Sequence, residues 1–255
     1  MDPVMIVIVV FFLAFLAYDT LRPARRYAKV RGWVPKGIAS FLVYASLSTA
    51  LPFVWDAWLG QHRLIDATSL GTLRGAGVGF LSAQVFMYAW HRTMHANDLL
   101  WRWFHQMHHS AESMDAFGAY YLHPVDTFNF TTISSLVFFP LLGLPVEAGV
   151  LGALFLTFNA MFQHMGMKTP RWLGYIIQRP ESHSVLHRKG IHRYNYSDLP
   201  LWDMVFGTFR NPREFQPEHG FYPGASGRLT EMLTFQDVTS PKQEINNDQA
   251  ITPGA

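Results

Sequence analysis

The stretch LGTLRGAGVGFLSAQVFMYAWHRTMH, residues 70–95, decides the reading of this chain. A largely apolar run from Leu70 to Trp90, broken by one charge at Arg74, leads directly into His91 and, one helical turn later, His95. About 20 such residues are what a helix needs to cross the hydrocarbon core of a bilayer. Residues four apart share a helix face, so both imidazoles project together from the end of an expected span. Gly71, Gly75 and Gly79 also recur every four residues, which lines one face with small side chains that a neighbouring helix can approach closely. The glycines resemble a dinucleotide-binding loop only superficially, because no strand precedes them.

Working outward, the whole chain has the same character. Of its 255 residues 49% are hydrophobic and 15% charged, against about 25% charged in ordinary soluble domains. The aromatic share is 15%, as expected of helices that face lipid and meet its interface. A net charge of +2, spread over loops, is too weak for a nucleic-acid surface. With no cysteine, disulfides, thiolate zinc sites and self-contained iron-sulfur clusters are excluded, and any metal must be held by nitrogen and oxygen.

Further apolar runs cover about 5–18, 37–59, 127–142 and 146–162, the last two joined by Gly143-Leu144-Pro145. No Lys or Arg precedes the first run and no small-residue cleavage site follows it, so it reads as a retained anchor and not as a signal peptide. The loop after it carries Arg22, Arg25, Arg26, Lys29, Arg31 and Lys36, which by the positive-inside rule places that loop in the cytoplasm. Counting crossings from there puts Trp90 and Gln163 on the cytoplasmic side as well. The expected fold is therefore all-α: an integral-membrane, multi-pass helical bundle of about three spans plus a helical hairpin, with a cytoplasmic histidine-rich helical cap. Residues 1–236 form one domain, and the polar stretch 237–255 is expected to be a disordered tail.

Histidine carries the chemistry. His105, His108 and His109 follow the first pair within nineteen positions, then come His123, His164 at the end of the fifth run, and His183 with His187. The crossing count brings all nine to one side. Each box can present its imidazoles to a common point, and nine exceed the three or four that a single zinc takes, so two metals of higher coordination are indicated. No Glu-x-x-His pair of the carboxylate-bridged di-iron type exists. A His-Glu-x-x-His zinc hydrolase motif is also absent. Glu112, Asp115, Asp126, Glu181 and Asp203 are candidate acceptors for the outer ring nitrogens. His62 falls on the opposite side, His219 is expected to be solvated, and His192 has no assigned role. Trp101, Trp103 and Phe104 read as residues of the headgroup belt.

These residues resemble the fatty acid hydroxylase superfamily, which includes sterol desaturases and sterol 4-methyl oxidases. The resemblance rests on His91-x-x-x-His95, His105-x-x-His108-His109, His123-Pro124, Gln163-His164, His183-x-x-x-His187 and the stretch from Asn195-Tyr196 through Trp202-Asp203 to Gly207-Thr208-Phe209. It implies a non-haem di-iron centre (two Fe ions) with O2 as co-substrate and a lipid substrate that is hydroxylated or desaturated. It also implies electrons from a separate protein of the ferredoxin or cytochrome b5 type. The family's last box is usually His-x-x-His-His, and here Leu186 stands at its middle histidine. That departure leaves an alternative reading, a non-catalytic lipid-binding relative lacking one ligand, beside the reading in which water or His192 fills the position.

Overall fold

The computed structural model describes residues 3–242, and every regular element among them is helical. Extended backbone pairs among them only at an isolated bridge between Arg188 and His219. The apolar runs appear as α1 (Pro3–Leu21), α2 (Trp33–Leu59) and α3 (Gly71–Ala96). Two short helices, α4 (Asp98–Leu100) and α5 (Gln106–His109), follow, separated by a π-helical turn over Trp101–His105. Next comes α6 (Pro124–Leu136), which continues as a second π-turn, Val137–Leu141, around Pro140. The long helix α7 (Val146–His164) completes the bundle. Short helices α8 (Pro180–Leu186), α9 (Leu201–Val205) and α10 (Leu229–Leu233) lie in the segment beyond it.

Two of these helices, α2 and α7, are long and apolar enough to cross a membrane. Their surroundings have the polarity of a protein dissolved in lipid. Phe53 and Val54 of α2 are each 76% exposed and Leu73 of α3 is 72% exposed, so the outer faces offer apolar surface with no protein partner. The structure and composition together describe a membrane protein.

Small residues let α3 approach α7 and the turn before it closely. A side chain on Gly79 of α3 would begin 2.7 Å from Leu144, and one on Gly75 would begin 3.0 Å from Ala148 of α7. Gly71 lies outside this face. Its φ of +64° starts α3, and nothing stands within 4 Å of where its Cβ would be. The expected glycine stripe is therefore two residues long. The turn before α7 needs glycine for both reasons, since Gly143 has φ +59° and a side chain there would strike the carbonyl of Ile65.

Polar ties hold the metal-proximal segments to the bundle. The Asp19 carboxylate accepts from the backbone N–H of Ala116 at 2.8 Å and of Gly166 at 2.9 Å, fastening α1 to the loops after α5 and α7. Trp33 donates its indole N–H to Asp115, and Gly118 donates its backbone N–H to the same carboxylate. Past residue 236 the chain still packs. Val238 is fully buried and donates its N–H to Gln106 Oε1, while Gln106 donates to the carbonyl of Gln236. The rest of the expected tail, 243–255, lies outside the described residues.

Candidate metal centre

Eight of the nine histidines singled out in the sequence converge in two groups of four. One contains His91, His95, His105 and His109; the other contains His108, His164, His183 and His187. In each, one ring nitrogen per residue lies within 4.8 Å of the rest. The second histidine box, read from spacing as serving one point, is divided between them. Its members at 105 and 109 are four apart and share a face, whereas His108 and His109 are successive and diverge by about 100°. The ring planes of His108 and His109 accordingly stand 87° apart. The groups abut, since His109 stacks on His187 with centroids 4.1 Å apart.

Hydrogen bonding fixes which nitrogen faces inward. His91 donates from Nδ1 to the carbonyl of Tyr196, and His95 donates from Nδ1 to the carbonyl of His192, both at 2.7 Å. The Nδ1 of His105 donates to Asp126 at 2.7 Å, and that of His164 to the carbonyl of Ala160 at 2.7 Å. A carbonyl can only accept, so the Nδ1 atoms of His91, His95 and His164 hold the proton and their Nε2 atoms carry lone pairs, and His105 does the same when Asp126 is a carboxylate.

The quartets fit divalent cations. Nε2 of His91 and Nε2 of His105 stand 2.9 Å apart, close enough for both to reach one cation. In the second group the Nε2 of His164 lies 3.1 Å from that of His108 and 3.2 Å from that of His183, which is 3.1 Å from that of His187. Two imidazole nitrogens bound at about 2.1 Å and at right angles would be about 3 Å apart. Burial holds the imidazoles of His105, His108, His109, His183 and His187 well below their usual range, so they are neutral at pH 7, as a ligand must be. His95 Nε2 and His109 Nε2 are buried without a protein partner, as donors waiting for a ligand are.

The ninth histidine is not brought into either group. His123 caps α6, where its Nδ1 accepts from the backbone N–H of Val125 at 3.2 Å. His192 lies against the first group, its Nδ1 3.1 Å from Nδ1 of His109 and its backbone at φ +45°. Burial pushes its imidazole down to about 4. His219, expected to be solvated, is buried and lies 3.3 Å from Arg25, because the segment after α9 folds back over the cap. The expectation for Trp101 is corrected as well. The π-turn carries its ring to within 5.0 Å of His95 and His109, where it forms a wall of the first group and not a headgroup anchor. Trp103 is half-exposed.

Among the candidate acceptor carboxylates, Asp126 alone bonds a quartet imidazole. Glu112 accepts from the N–H of Gly224 and from the hydroxyl of Ser226, and Glu181 pairs with Arg179. Asp203 acts one step further out, accepting from the N–H of Tyr196 and Ser197 and so holding the carbonyl that orients His91. Most remaining acceptors are backbone carbonyls, which no residue type announces. Sequence reading also passed over Gln84, Gln163 and Asp198. Gln84 and Gln163 donate their amides to the Asp198 carboxylate at 3.4 and 3.1 Å.

A cavity of about 590 Å³, within the usual range for ligand pockets, runs from the quartets into the bundle. His91, His105, His108, His164 and His183 wall one end; Phe53, Asp56 and Val146 wall the other. Val146 and His164 are eighteen residues apart on α7, about 27 Å at 1.5 Å per residue. Between them the lining is mostly apolar, with Phe130, Phe138, Phe139, Val150 and Leu154.

Known proteins share this region. The chain is 28% identical over 138 residues to sphinganine C4-monooxygenase 1 of Arabidopsis thaliana, covering 51% of this chain and 53% of that protein. It is 30% identical over 141 residues to the very-long-chain aldehyde decarbonylase GL1-9 of Oryza sativa subsp. indica, covering 51% and 53%. It is 29% identical over 140 residues to the ornithine lipid hydroxylase OlsE of Rhizobium tropici, covering 53% and 41%. The matched region thus spans about half the length, or less, of these curated relatives. No solved structure matches the chain significantly. The sequence pattern of the fatty acid hydroxylase family matches residues 76–208, a span of just over half the chain that contains every histidine of both quartets, and the chain therefore belongs to that family.

Proposed function

We propose that this protein is a multi-pass membrane lipid hydroxylase that holds two iron ions, one in each histidine quartet, at the cytoplasmic end of its helical bundle. The observation that carries the reading is the pair of quartets standing at one end of a mostly apolar cavity that α7 lines from Val146 to His164. The relatives' names, sphinganine C4-monooxygenase and ornithine lipid hydroxylase among them, support a lipid substrate and a hydroxylation. Bound iron would supply oxygen activation, in a reaction that converts C–H, O2, two electrons and two protons into C–OH and water. The electrons would come from a separate protein of the ferredoxin or cytochrome b5 type.

The chain's own residues do the positioning. The apolar wall of Phe130, Phe138, Phe139 and Leu154 takes the alkyl chain and keeps water from it. The carbonyls of Tyr196, His192 and Ala160, with the Asp126 carboxylate, hold four imidazoles in the tautomer that turns Nε2 inward. Each quartet brings four imidazoles together without a contribution from residue 186, whose leucine side chain is fully buried.

Metal counting on detergent-purified protein, combined with turnover under ¹⁸O2 in the presence of a reductase system, tests the proposal. Two irons per chain and ¹⁸O in a lipid alcohol are expected. Fewer than about one metal per chain, or an alcohol oxygen derived from water, would overturn it.

A further inference from the structure

Helix α9 carries its polarity in the reverse of the order that water selects. Asp203, in its middle, is fully buried and accepts from the backbone N–H groups of Tyr196 and Ser197 and from the hydroxyl of Thr208. Leu201 and Val205, two positions to either side, point about 200° away, to the opposite face. They are 54% and 61% exposed, and Phe206 beside them is exposed as well. An amphipathic helix in water turns its charge outward and its apolar residues inward; this one does the opposite. The turn over Arg171–Tyr175 repeats the pattern. Its Trp172 and Tyr175, three apart and so on one side of a 3-10 turn, are exposed together with Ile176. The two segments lie side by side, since Tyr175 packs on Phe209 with ring centroids 5.6 Å apart and the side chains of Arg171 and Asn211 each donate to the other's backbone carbonyl.

The place of this patch favours lipid as its partner. Phe206 stacks on Tyr88 near the end of α3, with centroids 5.3 Å apart. Leu81, seven residues before Tyr88 and so on nearly the same helix face about 10 Å away, is exposed. The apolar outer surface of the bundle thus continues along α3 to α9. Arg171, Arg210 and Arg213 stand exposed around the two segments, and no carboxylate among the described residues forms an ion pair with them. Apolar and aromatic side chains edged by arginine are the composition of a segment lying in a bilayer surface, and arginine attracts anionic headgroups. We infer that the face formed by α9 and residues 171–176 is sunk in the lipid leaflet at the histidine end of the bundle, with its apolar side chains among acyl chains and its arginines on anionic headgroups. The contact reaches the metal centre from behind. Asp203, on the inward face of α9, holds the N–H of Tyr196, whose carbonyl orients His91, so lipid sets the depth of the same element that braces the first quartet.

The chain has no cysteine, so a single introduced cysteine carries a spin label without background. Ile176→Cys and Val205→Cys are each labelled in the full chain and reconstituted, at high lipid excess, into vesicles of phosphatidylcholine with phosphatidylglycerol. Both replaced side chains are exposed, so the label has room without repacking. Val54→Cys, on the exposed face of α2, is the lipid reference, and Glu218→Cys, whose side chain is 67% exposed, is the aqueous one. Power saturation measures collision of each label with oxygen, which concentrates among acyl chains, and with a water-soluble nickel chelate. Labels at 176 and 205 should meet oxygen about as often as the label at 54, and nickel several-fold less often than the label at 218. A label at either position that behaves like the one at 218 would place the face in water. Shielding from both reagents would place it against protein, a second copy included; each of these results overturns the inference. In vesicles of phosphatidylcholine alone the label at 205 should meet nickel more often, and the combined Arg171→Gln, Arg210→Gln and Arg213→Gln variant should abolish that dependence on phosphatidylglycerol. A dependence that persists in the combined variant would overturn the assignment of the headgroups to these arginines.

Discussion

Replacing Asp126 with asparagine is expected to weaken metal binding in one quartet without weakening the apo-protein. One oxygen of Asp126 accepts from Nδ1 of His105 at 2.7 Å; the other is buried and has no partner. An asparagine can turn its carbonyl to the same N–H, so the variant keeps the bond and removes the charge. Partners of metal-bound imidazoles are commonly worth 10–100-fold in metal affinity. With the hydrogen bond retained the lower figure applies, about tenfold or roughly 1.4 kcal/mol. Asp126→Ala removes the acceptor, frees the tautomer, and should approach about 100-fold. Without metal, burial disfavours the charged form of this carboxyl and holds it well above the usual carboxylate range, with a neutral ring as its one partner. Its neutralisation should therefore leave the thermal midpoint of the apo-protein unchanged or raised. Chelator competition with metal counted by mass spectrometry gives the affinity, and thermal unfolding in the same detergent gives the stability. If Asp126→Asn holds metal within about twofold of the parent, or if apo stability falls together with affinity, Asp126 supports the fold and not the metal.

Three further outcomes are expected. His123→Ala should retain both metals and lose about 1 kcal/mol of stability, the worth of a helix cap; loss of a metal would make His123 a ligand after all. Leu186→His places a polar ring in a fully buried apolar position and should cost about 2–4 kcal/mol without raising the metal count. More metal in that variant would show that position 186 faces a vacant ligand site. The apo-protein should lose stability in acid: burial holds five imidazoles well below their usual range, so as pH falls below about 6.5 the unfolded chain takes up protons that the folded chain refuses. The slope is up to about 1.4 kcal/mol per group per pH unit, with the share of His192 confined to between about 6.5 and its folded value of about 4. Unfolding midpoints that stay flat between about pH 7.5 and 5 would refute this account.

The residues themselves declared much of this protein. The run from Leu70 to Trp90 announced a long helix, and α3 begins at Gly71 and runs on to Ala96; among the described helices it is α2 and α7, not α3, that are long and apolar enough to cross a membrane. Spacings of four identified His91 with His95 and His183 with His187 as pairs on common faces, and each pair does enter a single quartet. Local periodicity is a property of the chain's own geometry, so these readings needed no partner. Three-dimensional packing alone decided how the pairs were shared out. A π-turn at Trp101–His105 and the 100° step from His108 to His109 divide the second box between two quartets. The return of the segment after α9 buries His219. His123, one box among several in the sequence, lies outside both quartets and accepts from the N–H of Val125 at the start of α6. The acceptors that orient the imidazoles are carbonyls of Tyr196, His192 and Ala160, which any residue type would provide. Asp198 became visible only when α3, α7 and the loop before α9 brought it beside two glutamines from distant parts of the chain. Sequence fixes what each residue can offer and its phase on its own helix; which groups meet depends on long-range packing, and burial then sets their charge.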